Sequence, residues 1–132
     1  MAEKKIAVFP GSFDPITKGH ESIVHRCLPL FDEIIIAIGS NSTKNYYFSL
    51  ERREHFIRKT FEGTRGVSVK SYSGLTIDFC KTVDARFIIR GLRTSADYEF
   101  ERAIAQMNRA MNPSVDSLFV VADPSLSHIS ST

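Results

Sequence analysis

The first strand and first helix of the chain meet in Val8-Phe9-Pro10-Gly11-Ser12-Phe13-Asp14-Pro15-Ile16-Thr17-Lys18-Gly19-His20. The apolar run ending at Phe9 predicts a strand, and a helical pattern follows the loop at once, with Thr17 as its N-cap. Backbone N–H groups and a histidine therefore meet at a helix N-terminus, which attracts anions. Glycine lets the backbone approach phosphate oxygens, and His20 can donate a hydrogen bond there. The stretch indicates a binding site for a phosphate compound.

Strand and helix signals alternate along the rest of the chain. We predict strands at 5–9, 33–39, 67–72, 86–89 and 117–122. The predicted helices cover 18–31, 50–61, a short stretch from Gly74 through Val83, and a long one opened by a capping box at Thr94 to Asp97 and ending near Met111. Strands joined by helices indicate a parallel sheet with right-handed crossovers. The predicted fold class is therefore α/β, a single doubly wound (Rossmann-like) domain over residues 1–132 with a five-stranded parallel sheet.

In such sheets ligands bind outside the carboxyl ends of the strands. The segments that we expect at this edge follow the five predicted strands: Gly11-Ser12, Ser40 to Lys44, Ser73-Gly74-Leu75, Arg90-Gly91-Leu92-Arg93, and Pro124 to Ser131. These loops hold the glycines, arginines and hydroxyls that a phosphate site needs. Their common placement at the ligand-binding edge of the sheet is stronger evidence than any single motif.

Individual residues in these loops carry different predictions. We expect Arg90 at a strand end and Arg93 beside it, so that both guanidinium groups face one anion, which arginine binds in bidentate geometry. Ser12 has no obvious base, so we interpret it as a hydrogen-bonding residue and not a nucleophile. Spacing alone makes Lys44 an ordinary solvated lysine. Glu101 lies in a helix and would be a surface carboxylate, with Arg102 or Arg93 as its partner.

Three other features remain outside these motifs. The helix over 50–61 carries basic residues that we expect on a solvated face: Arg52, Arg53, Arg58 and Lys59. Asp14 precedes a proline and is expected to shape its loop. The terminal Ser130-Ser131-Thr132 has two open interpretations, a disordered tail or the cap of another helix that offers donors to a phosphate.

The composition is that of an ordinary globular domain, with 132 residues, 42% hydrophobic and 24% charged. A net charge of +2 is too small to favour a nucleic-acid or membrane partner. Cys27 and Cys80 fall in apolar helical patterns, so we expect buried free thiols in a reducing cytoplasm. No signal-peptide pattern precedes the first strand, no stretch reaches membrane-spanning length, and no Cys/His cluster indicates a metal. We therefore expect a cytoplasmic protein.

Together the motifs closely resemble those of the phosphopantetheine adenylyltransferase family, nucleotidyltransferases with a (H/T)xGH motif. The matching segments cover essentially the whole chain in the family's order, at 10–20, 48–53, 89–93, 97–101, 107–109 and 129–132. The Thr17-x-Gly19-His20 motif alone marks the superfamily. With Ile89-Arg90-Gly91-Leu92-Arg93 and the terminal Ile-Ser-Ser, the pattern is specific to this family.

The resemblance implies transfer of AMP from ATP to 4′-phosphopantetheine by direct in-line displacement, with Mg²⁺ on the ATP phosphates. The products would be dephospho-coenzyme A and pyrophosphate, in coenzyme A biosynthesis. The family is typically hexameric, which implies a homo-hexamer, and coenzyme A is a candidate inhibitor. No metal ligand from the protein is implied.

The resemblance also implies roles for particular residues. The catalytic set would be His20, Lys44 and Arg93. The phosphopantetheine site would comprise Ser12, Lys44, Thr76 and Arg90, the backbone near Thr76 lining the pantetheine arm. The ATP site would comprise Ser12, Phe13, His20, Gly91, Leu92, Arg93, Glu101, Leu126, Ser127, His128, Ile129, Ser130, Ser131 and Thr132.

The chain departs from the family pattern at three points. Ser12 stands where the family usually has threonine, and His128 where aromatic residues are common. Relatives continue past Ile-Ser-Ser into a C-terminal helical segment, which implies that residues 1–132 lack it. Two alternatives stay open: a sister nucleotidyltransferase that uses glycerol phosphate or nicotinate mononucleotide, and a non-catalytic nucleotide-binding module.

Overall fold

The computed structural model describes residues 4–40 and 45–126 and contains one parallel sheet of five strands, ordered β3-β2-β1-β4-β5. The elements follow one another as β1 (Ile6–Gly11), α1 (Lys18–Cys27), β2 (Glu33–Ser40), α2 (Leu50–Thr60), β3 (Val67–Ser73), α3 (Thr76–Thr82), β4 (Phe87–Leu92), α4 (Ser95–Met111) and β5 (Asp116–Val121). The strand order reverses between β1 and β4, where doubly wound sheets bind their ligands. The predicted α/β fold with a five-stranded parallel sheet is confirmed.

Both faces of the central strands are buried, because successive side chains of a strand point to opposite faces. In β2 the side chains of Ile34, Ile36 and Ile38 join one core cluster, and those of Ile35 and Ala37 join the other. The first cluster includes residues of α1 and α2, and the second includes residues of α3. The uninterrupted apolar run in β2 therefore reflects a strand that is covered from both sides.

Several element boundaries differ from the prediction by a few residues, β1 among them, which runs to Gly11 so that this glycine lies in the strand and not in the loop after it. Two of the differences have a clear cause. The first helix ends at Cys27 and continues as a 3-10 turn over Leu28–Leu30, since Pro29 has no N–H to extend the α-helical bonding. The fourth strand does not end at Ile89. It pairs with β5 as far as Leu92, so Arg90, Gly91 and Leu92 lie within β4 and do not form the loop after it.

The predicted N-caps Thr17 and Thr94 are confirmed, and Ser49 caps a third helix in the same way. The Thr17 and Ser49 hydroxyls accept backbone N–H bonds from His20 and Arg52 at the starts of α1 and α2. Thr94 opens α4 with a capping box whose acid is Asp97, as predicted. These caps satisfy N–H groups that the first helical turn leaves without partners.

Cys27 and Cys80 are free and buried, as predicted. Burial raises the pKa of the Cys80 thiol to about 11, which makes it an inert core residue. Within 4–40 and 45–126, every helix is too short or too polar to cross a bilayer.

Candidate active site

One cleft opens at the carboxyl ends of the strands, where the sequence predicts the ligand site. Its volume is about 1260 Å³. The walls come from the loop after β1, the ends of β2, β3 and β4, and the inner side of α4. The predicted segments after β1, β2, β3 and β4 therefore contribute to one concave surface, whereas the described residues of the fifth segment, Pro124 to Leu126, are not among its lining residues.

His20 stands at the N-terminus of α1, where it forms an unusual capping box with Thr17. The Thr17 N–H donates to His20 Nδ1 at 3.0 Å, and the His20 N–H donates to Thr17 Oγ1 at 3.2 Å. An imidazole nitrogen that accepts an N–H bond carries no proton, so the neutral ring holds its proton on Nε2. The box thus fixes both the orientation and the tautomer of His20.

The surroundings of His20 keep its ring neutral. The Phe13 and Phe9 rings lie edge-on to it, with centroids 4.9 and 6.0 Å from the imidazole centroid. Burial first, and then the nearby Arg90 and Arg93 cations, lower the pKa of His20 to about 4. At neutral pH His20 therefore offers one uncharged N–H donor on the cleft wall, suited to developing negative charge.

The lowered pKa of His20 should make the stability of the fold depend on pH. The folded protein excludes a proton that the unfolded chain takes up between the ordinary value of 6.5 and about 4, so stability falls as the pH falls through this window. From pH 7 to pH 5, the free energy of unfolding of the wild type should decrease by about 2 kcal/mol more than that of His20→Gln. Urea denaturation at both pH values measures this difference, and an equal decrease in both proteins would contradict it.

Phe13 contributes its backbone to the cleft and its side chain to the core. The ring is 3% exposed and packs against Phe9 with a centroid distance of 5.4 Å. Its φ of 47° is unusual for a residue with a Cβ, a kind of strain that clusters at functional sites. Within the described part of the chain, the Phe13 N–H has no hydrogen-bond partner. The backbone N–H, and not the ring, is therefore the group that could bind ATP.

Arg90 and the buried Glu101 form a part-buried ion pair that the sequence did not predict. Arg90 Nε and Nη2 donate to the two oxygens of Glu101 at 3.0 and 2.8 Å, and Nη1 donates to the Pro10 carbonyl at 2.8 Å. The predicted partners of Glu101 are wrong, since Arg102 pairs with Glu99 and Arg93 lies beside Asp97. Glu101 is 8% exposed and is not a surface carboxylate. Arg90 keeps two N–H groups for a ligand, and its charge is largely balanced.

The end of β4 supplies a freer cation and a close helix contact. Arg93 lines the cleft, with a side chain 60% exposed, and its Nε lies 3.9 Å from the Asp97 carboxylate. Gly91 also lines the cleft, and a Cβ there would lie 2.5 Å from Ile23 Cδ1 of α1. The glycine therefore serves the packing of α1 on β4 as well as access to the cleft.

Leu92 contributes a carbonyl that accepts the Ala122 N–H, and its side chain is not among the cleft-lining groups of the described residues.

The predicted acceptor residues lie on the other half of the same cleft. Thr76 is the first residue of α3, and its hydroxyl is 2.6 Å from that of Tyr72. Ser12 lines the cleft, and its carbonyl accepts a bond from Arg53. Arg90 lies between the two halves through its contact with Pro10 at the end of β1.

Several predicted site residues lie outside the described part of the chain: Lys44, Ser127, His128, Ile129, Ser130, Ser131 and Thr132. Leu126 ends the 3-10 turn Pro124–Leu126, the last described element. Both interpretations of the terminal hydroxyls, and the roles that the resemblance assigns to these residues, stay predictions.

Asp14 and Arg53 are the residues whose importance the sequence analysis underestimated. Arg53 is 4% exposed, so the predicted solvated face is wrong at this position. It follows the same helical spacing as the buried Ile57 and Phe61, and this i, i+4, i+8 pattern was the signal that could have revealed its burial. Asp14 shapes its loop, as expected, by accepting the N–H groups of Tyr47 and Phe48.

Comparisons with known proteins agree with the fold and with the family that the motifs indicate. The cytidylyltransferase-like family model matches residues 8–132. The phosphopantetheine adenylyltransferase of Christiangramia forsetii is 56% identical over 128 residues, which are 97% of this chain and 84% of that protein. The one from Cytophaga hutchinsonii is 50% identical over 128 residues, covering 97% of this chain and 85% of that protein.

A solved structure supports the fold independently. The bifunctional NMN adenylyltransferase/ADP ribose pyrophosphatase from Francisella tularensis superposes with a TM-score of 0.66 at 22% identity, over 92% of this chain and 39% of that one. At this identity the likeness concerns the fold alone. The sequence matches, in contrast, extend over almost the whole chain at half or more identical residues, and they show that the chain belongs to the phosphopantetheine adenylyltransferase family of nucleotidyltransferases, as its motifs predict.

Proposed function

We propose that this protein transfers AMP from ATP to 4′-phosphopantetheine and releases dephospho-coenzyme A and pyrophosphate. The observation that carries the proposal is the neutral His20, held as a single N–H donor at the N-terminus of α1 and facing a cleft large enough for two substrates. The names of the relatives support phosphopantetheine as the acceptor.

The reaction needs no nucleophile from the protein. An oxygen of the acceptor phosphate forms a bond to the α-phosphorus of ATP, while the bond from that phosphorus to the bridging oxygen breaks and pyrophosphate leaves with the electron pair. Negative charge in the transition state is stabilised by donors that are already in place. His20 Nε2, the Phe13 N–H and the N-terminus of α1 are such donors.

Repulsion between the two substrates is the main obstacle to their approach. Two like unit charges 4 Å apart repel by about 1 kcal/mol in water and about 4 kcal/mol at an effective dielectric constant of 20. Arg93 supplies positive charge on the cleft wall, and Lys44 is proposed to supply more from the loop after β2. Arg90 contributes directed N–H groups more than net charge, because Glu101 balances it.

The remaining parts of the proposal concern the metal, the compartment and an inhibitor. Mg²⁺ enters as part of the ATP substrate, bound to its phosphate oxygens, as the family resemblance implies. The buried free thiols fit a reducing cytoplasm. Coenzyme A, which carries both an adenylate and a pantetheine arm, would compete for both halves of the cleft.

We also propose a homo-hexamer, as the family resemblance implies. An apolar stripe on α4 supports an oligomer: Phe100, Met107 and Met111 are 66%, 63% and 51% exposed, and their spacing places them along one helix face. Exposed apolar surface of this kind marks interaction sites. Analytical ultracentrifugation should show a hexamer for the wild type and smaller species for Met107→Asp. A monomeric wild type would contradict the proposal.

Pyrophosphate release in the presence of ATP and Mg²⁺ tests the activity. We expect release with 4′-phosphopantetheine and none with glycerol 3-phosphate or nicotinate mononucleotide. Release with another acceptor would identify a sister nucleotidyltransferase. No pyrophosphate release with any of the three acceptors, alongside intact ATP binding, would indicate a non-catalytic nucleotide-binding module.

A further inference from the structure

We propose that Arg53 and Asp14 form a clamp that positions the Ser12–Phe13 peptide group for binding a phosphate of ATP. The inference rests on the proposed function, because it assigns positioning residues to that same site. Neither side chain needs to touch the reacting atoms. Both act through the loop that follows β1.

Arg53 is a buried cation with neutral partners. Its Nε donates to the Phe48 carbonyl at 3.0 Å, and Nη1 donates to the Ser12 carbonyl at 3.0 Å. The guanidinium carbon lies 4.0 Å from the centroid of the Tyr46 ring. No carboxylate among the described residues forms an ion pair with it. Burying a charge without an opposite charge is costly. An arginine at this position therefore indicates that the forked guanidinium is needed to donate to both carbonyls at once.

Asp14 closes the clamp from the other side. Its carboxylate oxygens accept the Tyr47 N–H at 2.6 Å and the Phe48 N–H at 2.9 Å. The two charged side chains thus make four hydrogen bonds, all to backbone atoms. These bonds fasten the loop after β1 to the segment 47–48 that leads into α2.

The clamp controls the direction of one peptide group. A trans peptide is planar, so its N–H points away from its carbonyl oxygen. When Arg53 holds the Ser12 carbonyl, the Phe13 N–H is turned to the opposite side. The buried Phe13 ring, packed between Phe9 and His20, holds the same peptide from its other end. The unpartnered N–H is thereby fixed beside the catalytic histidine.

Fixing a donor in advance is what makes it effective in catalysis. A donor already aimed at the developing charge needs no reorganisation during the reaction, and a displacement of about 1 Å can cost on the order of 100-fold in rate. Arg53 itself does not line the cleft, so its loss should act through the groups that it holds, the Ser12–Phe13 peptide and the cleft-lining Tyr46 ring. We therefore assign it as a positioning residue.

The kinetic test compares Arg53→Met with Arg58→Met, the same change on an exposed arginine of α2 that pairs with Glu54. We expect Arg53→Met to lower kcat about 10- to 100-fold with a smaller change in the KM for ATP, and Arg58→Met to stay within about two-fold of the wild type. Arg53→Lys keeps the charge but cannot span both carbonyls, so it should stay well below the wild type. Wild-type kcat in Arg53→Met would overturn the clamp.

A second readout separates positioning from a merely structural role and needs no turnover. Adding ATP and Mg²⁺ to ¹⁵N-labelled protein should move the Phe13 amide resonance in the wild type and in Arg58→Met, and should leave it nearly unmoved in Arg53→Met. If the wild type proved inactive with phosphopantetheine, this ATP experiment would still test the clamp. A full Phe13 shift in folded Arg53→Met would overturn it.

Asp14→Asn provides an independent variant if Arg53→Met does not fold. The amide keeps one acceptor oxygen but turns an NH₂ group towards the second backbone N–H, so one of the two bonds is lost. We expect a reduced Phe13 shift and a several-fold lower kcat. An unchanged shift and kcat would overturn the proposal.

Discussion

Replacing His20 by alanine is expected to lower kcat on the order of 100-fold or more while the KM for ATP changes little. The Nε2 proton is the only donor of this side chain, because Thr17 occupies Nδ1. A preorganised donor to developing charge contributes about 10²- to 10³-fold, and its loss appears in kcat when the bond strengthens only in the transition state. Steady-state pyrophosphate release with both substrates varied measures the two constants separately.

Two variants complete the His20 experiment. His20→Gln places an amide N–H near the former Nε2 position and should recover part of the lost kcat. His25→Ala removes an exposed histidine of the same helix and should have no comparable effect. If the KM for ATP rose in His20→Ala and kcat stayed constant, His20 would bind the ground state only, and its assignment to the transition state would be wrong.

The second large effect is expected for Arg90→Met, which should destabilise the fold by about 1 to 3 kcal/mol, the cost of leaving a buried acceptor without its donors. The change leaves the Glu101 carboxylate, 9% exposed in its side chain, without either of its two donors. The Pro10 carbonyl loses its donor as well. Urea denaturation at fixed protein concentration measures the stability, since an oligomer's unfolding depends on concentration. The acceptor KM should rise more than the ATP KM.

A double variant separates the buried charge from the lost contacts. Arg90→Met/Glu101→Leu should recover much of the stability, because no unpaired carboxylate remains. Arg102→Met breaks the exposed pair with Glu99 and should cost about 1 kcal/mol or less. If Arg90→Met were no more destabilising than Arg102→Met, the energetic importance of the Arg90–Glu101 pair would be refuted.

The fold could be predicted because its signals are local. The apolar run of β2 and the caps at Thr17, Ser49 and Thr94 each depend on a few neighbouring residues. The end of β4 could not be placed in the same way. Residues 90–92 are strand because β5 pairs with them, and that partner is contributed by a segment far along the chain.

The residues of the candidate site could likewise be predicted only where their signals are local in the sequence. His20 could be located because its motif, its helix start and its strand end are contiguous in sequence. The partner of Glu101 could not, since it depends on where α4 passes β4, and nearby arginines misled the prediction. Arg53 was misjudged because basic residues on a helix are usually solvated, and only the packing of α2 against the loop after β1 buries this one.

The capping box formed by Thr17 and His20 makes the stability of α1 and the orientation of the proposed catalytic group depend on the same two residues. The hydrogen bonds that orient the His20 imidazole also cap the first turn of α1. In a protein that no longer catalyses the reaction, replacing either residue would therefore still destabilise the helix. Selection for a folded protein alone would preserve the pair. The signature is therefore expected to outlast the activity in descendants that bind nucleotides without turning them over.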